Sequence, residues 1–173
     1  VMGAEPDYSY LHPRILADGQ SLWDDVIEQY EAHSLRKAVV FVDSKKHGKD
    51  CKEKLNSHDI SAAFIVSEST SSRSYSMDEL DKKVLEEIKT KNRFESVSVL
   101  IAASVLDNGT NLIDKDITHL YISGTEYMAA VQQAGRVRMY EEGQTLELVI
   151  PRRATFRLES PNGIVRRIYS TSG

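Results

Sequence analysis

The chain has 173 residues, 40% hydrophobic and 28% charged, with a formal net charge of −4 at pH 7. That length and composition fit one globular domain with a real core and exclude a uniformly basic nucleic-acid coat. No apolar run approaches the roughly 20 residues of a membrane span, and the N-terminus shows no signal-peptide pattern. The lone Cys51 excludes an internal disulfide framework or a multi-cysteine zinc site, and the five histidines form no H-x-x-x-H pair. A cytoplasmic protein without membrane or metal site is the expectation.

Hydrophobic periodicity gives the elements in chain order. Ser21 is positioned to cap a helix running to about His33, with Leu22, Val26, Ile27 and Tyr30 on one face. Ala38 to Val42 is a β-branched apolar run typical of a strand buried on both faces. Lys45 to Leu55 follows as a helix, then Ala62 to Val66 as a strand, then a serine-rich loop from Ser67 to Ser76. An amphipathic helix spans Met77 to about Lys91, with Leu80, Val84, Leu85 and Ile88 inward. Strands follow at Val97 to Ala102 and Thr118 to Ile122, and a short helix of small residues runs from Thr125 to about Gly135. Strands alternating with helices imply βαβ units: an α/β, three-layer, mainly parallel sheet with helices on both faces. Thr145 to Ile150 and Thr155 to Leu158 alternate, and the Pro161-Asn162-Gly163 turn precedes Ile164 to Tyr169. That pattern predicts a C-terminal antiparallel ribbon packed on the α/β unit.

The chain contains no G-x-x-x-x-G-K-[ST] loop, no G-x-G-x-x-G, no acidic pair after an apolar strand and no G-x-S-x-G. Self-contained machinery for phosphate hydrolysis is therefore missing from this sequence. Three segments at strand ends stand out instead: V-V-F-V-D-S-K-K at 39–46, V-L-I-A-A-S-V-L-D-N-G-T-N-L at 99–112 and Q-Q-A-G-R-V-R at 132–138. The carboxyl edge of an open parallel sheet is where ligands bind.

In order and spacing these segments resemble motifs IV, V and VI of superfamily-2 DEAD/DEAH-like helicases of bacterial or phage type, over roughly residues 36 to 140. The resemblance implies a second, C-terminal RecA-like domain. Residues 1–19 would be a lead-in from an interdomain linker, 20–143 the domain itself and 144–173 the ribbon extension. It implies ATP with Mg²⁺ held mainly by an N-terminal RecA-like domain of the same polypeptide, and a DNA or RNA single strand as partner. Arg136 and Arg138 are the candidate catalytic arginines, because a guanidinium reaching across a cleft stabilises charge spreading over a transferring phosphoryl group. Gln132, Gly135, Gly109 and Asn111 are implied at the nucleotide. Ser44 and Lys45, at a helix N-terminus that favours phosphate, and Ala103 and Ser104 are implied at the nucleic-acid backbone. Three positions depart from the family pattern: Ala103 stands for the usual threonine, Asn111 for aspartate and Met139 for the last motif VI arginine. The chain alone is expected to be inactive. A non-catalytic RecA-like adaptor for protein or nucleic-acid contact is the alternative. An ideal helix would set Arg138 about 200° around from Arg136. Both therefore share a cleft only if the helix ends near Gly135, and both guanidiniums are expected at the sheet's C-terminal edge beside Gly109. The five tail arginines Arg152, Arg153, Arg157, Arg166 and Arg167 are read either as solvated charges or as a strip tracking a strand.

Overall fold

The computed structural model describes residues 10–16, 20–42, 45–66, 77–102, 112–123 and 144–150, and the strands at 137–138, 155–159 and 165–169 through their backbone pairing. The expected loop at 67–76 and the helix at 125–135 lie outside the described residues.

Six strands form one sheet in which every pairing is parallel. They are β1 (Leu11–Ile15), β2 (Lys37–Phe41), β3 (Ala62–Ile65), β4 (Val99–Ala102), β6 (Ile117–Ile122) and β8 (Leu146–Ile150), in the order β1-β8-β6-β2-β4-β3. A short parallel pair lies apart from it: β5 (Leu112–Ile113) with β7 (Val137–Arg138). β9 (Thr155–Glu159) and β10 (Val165–Tyr169) form an antiparallel hairpin.

The central strands are apolar on both faces because both are covered. On one face Ala38, Val40, Val99, Ile101 and Tyr121 pack with Leu22, Val26 and Ile27 of α1 (Leu22–Glu31) and Cys51 and Leu55 of α2 (Lys45–Ser57). On the other face Val39, Phe41, Leu100 and Leu120 pack in one cluster with Val84 and Ile88 of α3 (Glu79–Lys91). Alternation within each strand is thus between two cores, and water takes neither side.

Local chemistry fixes the helix ends. Ser21 caps α1 by accepting from the Asp24 N–H at 3.3 Å, and Asp24 and Asp25 sit in the first turn, where the helix dipole favours them. Asp78 and Asp81 form a reciprocal capping box on α3, which ends at Asn92 in a left-handed conformation (φ 59°) with Lys89 and Lys91 in its last turn. Asp81 has a second duty. Its Oδ1 accepts from the Phe64 N–H (2.9 Å) on edge strand β3 and lies 3.0 Å from Lys52 Nζ on α2. One buried carboxylate therefore joins α2, β3 and α3. Gly48 in α2 lies against the Phe64 ring so closely that a Cβ there would overlap it.

Two expectations are corrected. Leu146–Ile150 belongs to the main sheet, parallel to both β1 and β6, and only 155–169 forms the antiparallel ribbon. Leu11–Ile15, expected as linker, is the sheet's edge strand. The physical reason is common to both. Arg14 and Glu147 carry charges inside the sheet, so β8 mimics a strand with one wet face and β1 (LHPRI) mimics a loop. Arg14 Nε donates to Glu147 Oε1 at 2.7 Å, and its other nitrogens donate to both oxygens of Asp25 on α1 at 2.9 and 2.7 Å. Pro13 is tolerated because Leu16 N–H and Tyr10 C=O bond β8, which turns the odd position 13 to the unpaired side.

Candidate functional site

The carboxyl edge gathers the first group of predicted residues. β2 and β4 are neighbours in register, with Phe41 opposite Ala102, and Val42 N–H donates to Ala102 C=O at 2.9 Å. The chain leaves these adjacent strand ends toward Ser44 on one side and Ala103 and Ser104 on the other; all three lie outside the described residues. Lys45 is the first residue of α2 and half-buried, as the helix-start reading requires. Two residues on, His47 meets Trp23 of α1 edge-on, with ring centroids 5.0 Å apart. That contact docks the first turn of α2 against α1.

The second group is described only where its segments end, in the β5–β7 pair. β5 joins the start of β6 through Asp114, Lys115 and Asp116, and Ile113 N–H donates to the carbonyl of Asn92, the C-cap of α3, at 2.7 Å. Lys37 N–H, at the start of β2, donates to Asp116 C=O at 3.2 Å. These contacts set β5 at the amino edge of the sheet. Its partner β7 follows, with Leu112 opposite Val137 and Ile113 opposite Arg138. Arg138 therefore stands on extended backbone in the β5–β7 pair; its side chain lies outside the described atoms. The helical register that would have turned it 200° from Arg136 does not operate at a residue in a β-ladder. Asn111 and Arg136 are the chain neighbours directly before the paired residues; they and Gly109, Gln132 and Gly135 lie outside the described residues.

A buried pin holds this second group. Lys37 Nζ is 2.7 Å from Asp114 Oδ2 and 2.6 Å from the Phe94 carbonyl, and lies over the Phe94 ring at 5.3 Å. Asp114 Oδ1 accepts from the Asp116 N–H (2.9 Å), and Gln144 Nε2 donates to the Asp114 carbonyl (3.0 Å). Each oxygen of the carboxylate has a protein donor, which is what permits Asp114 to be only 4% exposed. Beside the pin opens a cavity of about 370 Å³ lined by Lys37, Arg93, Glu95, Ile113, Asp114, Lys115 and Asp116. Its charges are answered internally: Lys37 by Asp114 at 2.7 Å and Arg93 by Glu95 at 2.9 Å.

A further polar network, with no local sequence pattern to mark it, underlies α1. Tyr121 donates to Asp25 Oδ2 at 2.7 Å, beside the Arg14 contacts. Burial pushes the Asp25 carboxyl up, but the hydrogen bonds from Arg14 and Tyr121 outweigh it and leave it below the usual carboxylate range. His119 stacks on Tyr121, and its Nε2 lies 2.8 Å from Glu147 Oε2, in ion-pair range but off the line of a hydrogen bond. Burial lowers the His119 pKa, and the Arg14 charge adds to it against the pull of Glu147. Single polar residues scattered over β1, α1, β6 and β8 produce this network, so no local motif announces it. Among the described residues no group of three His, Cys, Asp or Glu side chains is placed to hold a metal ion, and no helix is long and apolar enough to cross a membrane.

Comparison with solved structures bears on the whole arrangement. The chain is similar to the C-terminal domain of S. cerevisiae Dbp5 over 82% of its length and 73% of that chain, with TM-score 0.52 and 15% identity. It is similar to the E. coli DEAD-box protein SrmB over 82% of its length and 75% of that chain (TM-score 0.54, 17% identity). The chain has the fold of a helicase C-terminal RecA-like domain. The Mycobacterium smegmatis helicase Lhr, in a structure bound to ssDNA and AMP-PNP, gives TM-score 0.55 at 16% identity over 85% of this chain, which spans 20% of Lhr. No protein-family model and no curated protein matches the sequence. The RecA-like domain thus shares its backbone plan with these proteins at identities where the fold alone carries over.

Proposed function

We propose that this RecA-like domain is the C-terminal motor half of an ATP-dependent nucleic-acid helicase or translocase. The observation that carries the reading is the fold shared with helicase C-terminal RecA-like domains, with β2 and β4 ending side by side and Leu112 paired with Val137 in the backbone. In this reading the sheet rigidly joins a grip on the strand to a nucleotide sensor.

In this reading Ser44, Lys45, Ala103 and Ser104 grip the backbone of a DNA or RNA single strand. Gln132, Gly135, Gly109 and Asn111 approach ATP, whose phosphates and Mg²⁺ are held by an N-terminal RecA-like domain. Arg136 reaches the γ-phosphate as an arginine finger, worth roughly 10³ to 10⁵ in rate in such enzymes, and Arg138 is the second candidate. Asn111 serves a ribose hydroxyl as a neutral hydrogen-bond partner. In this reading the protein works in the cytoplasm. The adaptor reading draws no support from a specific contact.

The test uses this chain and labelled single strands. Weak, salt-sensitive and sequence-indifferent binding is expected, because few phosphates are within reach of one half-motor. Ser44→Ala with Lys45→Ala should weaken it. Tight binding that ignores salt and prefers one base sequence would mean base-edge readout and would contradict the proposal.

A further inference from the structure

The β9–β10 hairpin has a register that sets two arginines directly opposite one another. Residues 151–169 hold five arginines and one acidic residue, Glu159, in a chain whose net charge is −4. In the ladder Arg167 stands directly opposite Arg157, Arg166 opposite Leu158 and Val165 opposite Glu159. Directly opposed residues of an antiparallel pair have Cβ atoms about 5 Å apart, and like charges there are destabilising. Alternate residues share a face of the ladder. The set containing the Arg157–Arg167 pair is therefore Thr155, Glu159, Val165 and Tyr169 besides. Glu159 stands on the diagonal to Arg167 in the register, the one acidic position beside the opposed arginines. β10 runs beside β1, the outer edge of the main sheet.

We propose that this opposed arginine pair, with Tyr169 two residues along, binds the phosphodiester backbone of a single nucleic-acid strand. A phosphate seated between two guanidiniums turns their repulsion into two attractive, bidentate contacts. An aromatic residue on the same set supplies a stacking surface that accepts any base. A strand with splayed bases can use both, whereas a duplex presents phosphates without a free base face. The inference rests on the motor reading for its choice of ligand, but it adds a contact that none of the three helicase-like segments includes.

The experiment measures binding of fluorescein-labelled oligo(dT) and oligo(U) to the full 173-residue chain across a salt series, with urea denaturation of each variant. Arg157→Ala with Arg167→Ala should weaken binding about tenfold at low salt and flatten the log–log salt slope by about 1.4, two contacts at 0.7 each for single strands. Arg167→Glu creates an opposite-charge pair, so it should raise the urea midpoint while abolishing the hairpin's share of binding. Arginines with only a structural task would show the reverse: a lower midpoint and unchanged binding, which overturns the proposal. If Ser44→Ala and Lys45→Ala weaken binding and the hairpin variants do not, the hairpin site falls and the motor reading stands. If the hairpin variants alone matter, the hairpin site stands and the predicted grip at the carboxyl edge falls. A duplex bound as tightly as the single strand, or ATP competing at equal concentration, would overturn the choice of ligand.

Discussion

Replacing Lys37 by Met removes the cation of the pin and leaves its apolar stem over Phe94. The Lys37 side chain is 16% exposed and that of Asp114 3%, so the surviving carboxylate is left in a shielded place with only the Asp116 N–H for its charge. Breaking one partner of a buried pair costs about 3–5 kcal/mol, and the partial exposure of Lys37 favours the lower end of that range. At roughly 2–4 °C per kcal/mol for a chain of this size, thermal unfolding should fall by roughly 6–12 °C. The double change Lys37→Met with Asp114→Leu removes both charges. It should recover most of the loss, short of about 1 kcal/mol for the Asp116 N–H left unserved. Because β5 is anchored through Asp114 and Asn92, hydrogen exchange at the Ile113 amide should speed up in the single variant more than exchange in β4. Calorimetry and exchange on the three proteins check this. A Lys37→Met protein within about 0.5 kcal/mol of the parent, with the Ile113 amide still protected, would refute the reasoning about the pin.

Gly48→Ala should gain about 1 kcal/mol of helix propensity yet lose more to overlap with the Phe64 ring, for a net fall in the urea midpoint; adding Phe64→Leu should return part of it. Stability should also depend on pH through the network under α1. His119 is held below its ordinary 6.5, so the unfolded chain takes the proton first and stability begins to fall as pH drops below 6.5. Asp25 is held below 3.8, so its contribution is intact above that pH and is lost as pH falls through the depressed value. Urea midpoints from pH 8 to 3 should trace both declines, and His119→Asn should erase the first.

Much of the sheet was legible because its strands obey simple patterns. AVVFV and AAFIV are continuous apolar runs, and VSVLIA is broken only by Ser98, at a length typical of a strand buried on both faces; Ser21 and the acidic first turn of α1 announce a helix start. β1 and β8 were misread because each satisfies an internal charge through a partner far along the chain: Arg14 meets Asp25 and Glu147, which are 11 and 133 residues away. Periodicity sees only neighbours. Of the candidate site, the start of α2 at Lys45 was legible in the sequence. The pairing of Leu112 with Val137 was not, because a contact between segments 25 residues apart is a matter of topology. Nor does any local signal mark Lys37, which looks like a solvated charge before a strand until Asp114 and Phe94 close around it.

The central proposal is that this domain completes an ATP site across a cleft with another RecA-like domain, and Arg136 tests it most directly. In a polypeptide that carries the ATP-binding domain the proposal requires, Arg136→Ala should leave folding and ATP affinity nearly intact. Turnover should fall by at least about a hundredfold, because a finger acts on transition-state charge. Arg136→Lys should restore little, since a point charge does not reproduce the bidentate fork. Arg138→Ala, at its extended position opposite Ile113, distinguishes one finger from two. Turnover unchanged by Arg136→Ala, with nucleic acid present and saturating ATP, would contradict the account.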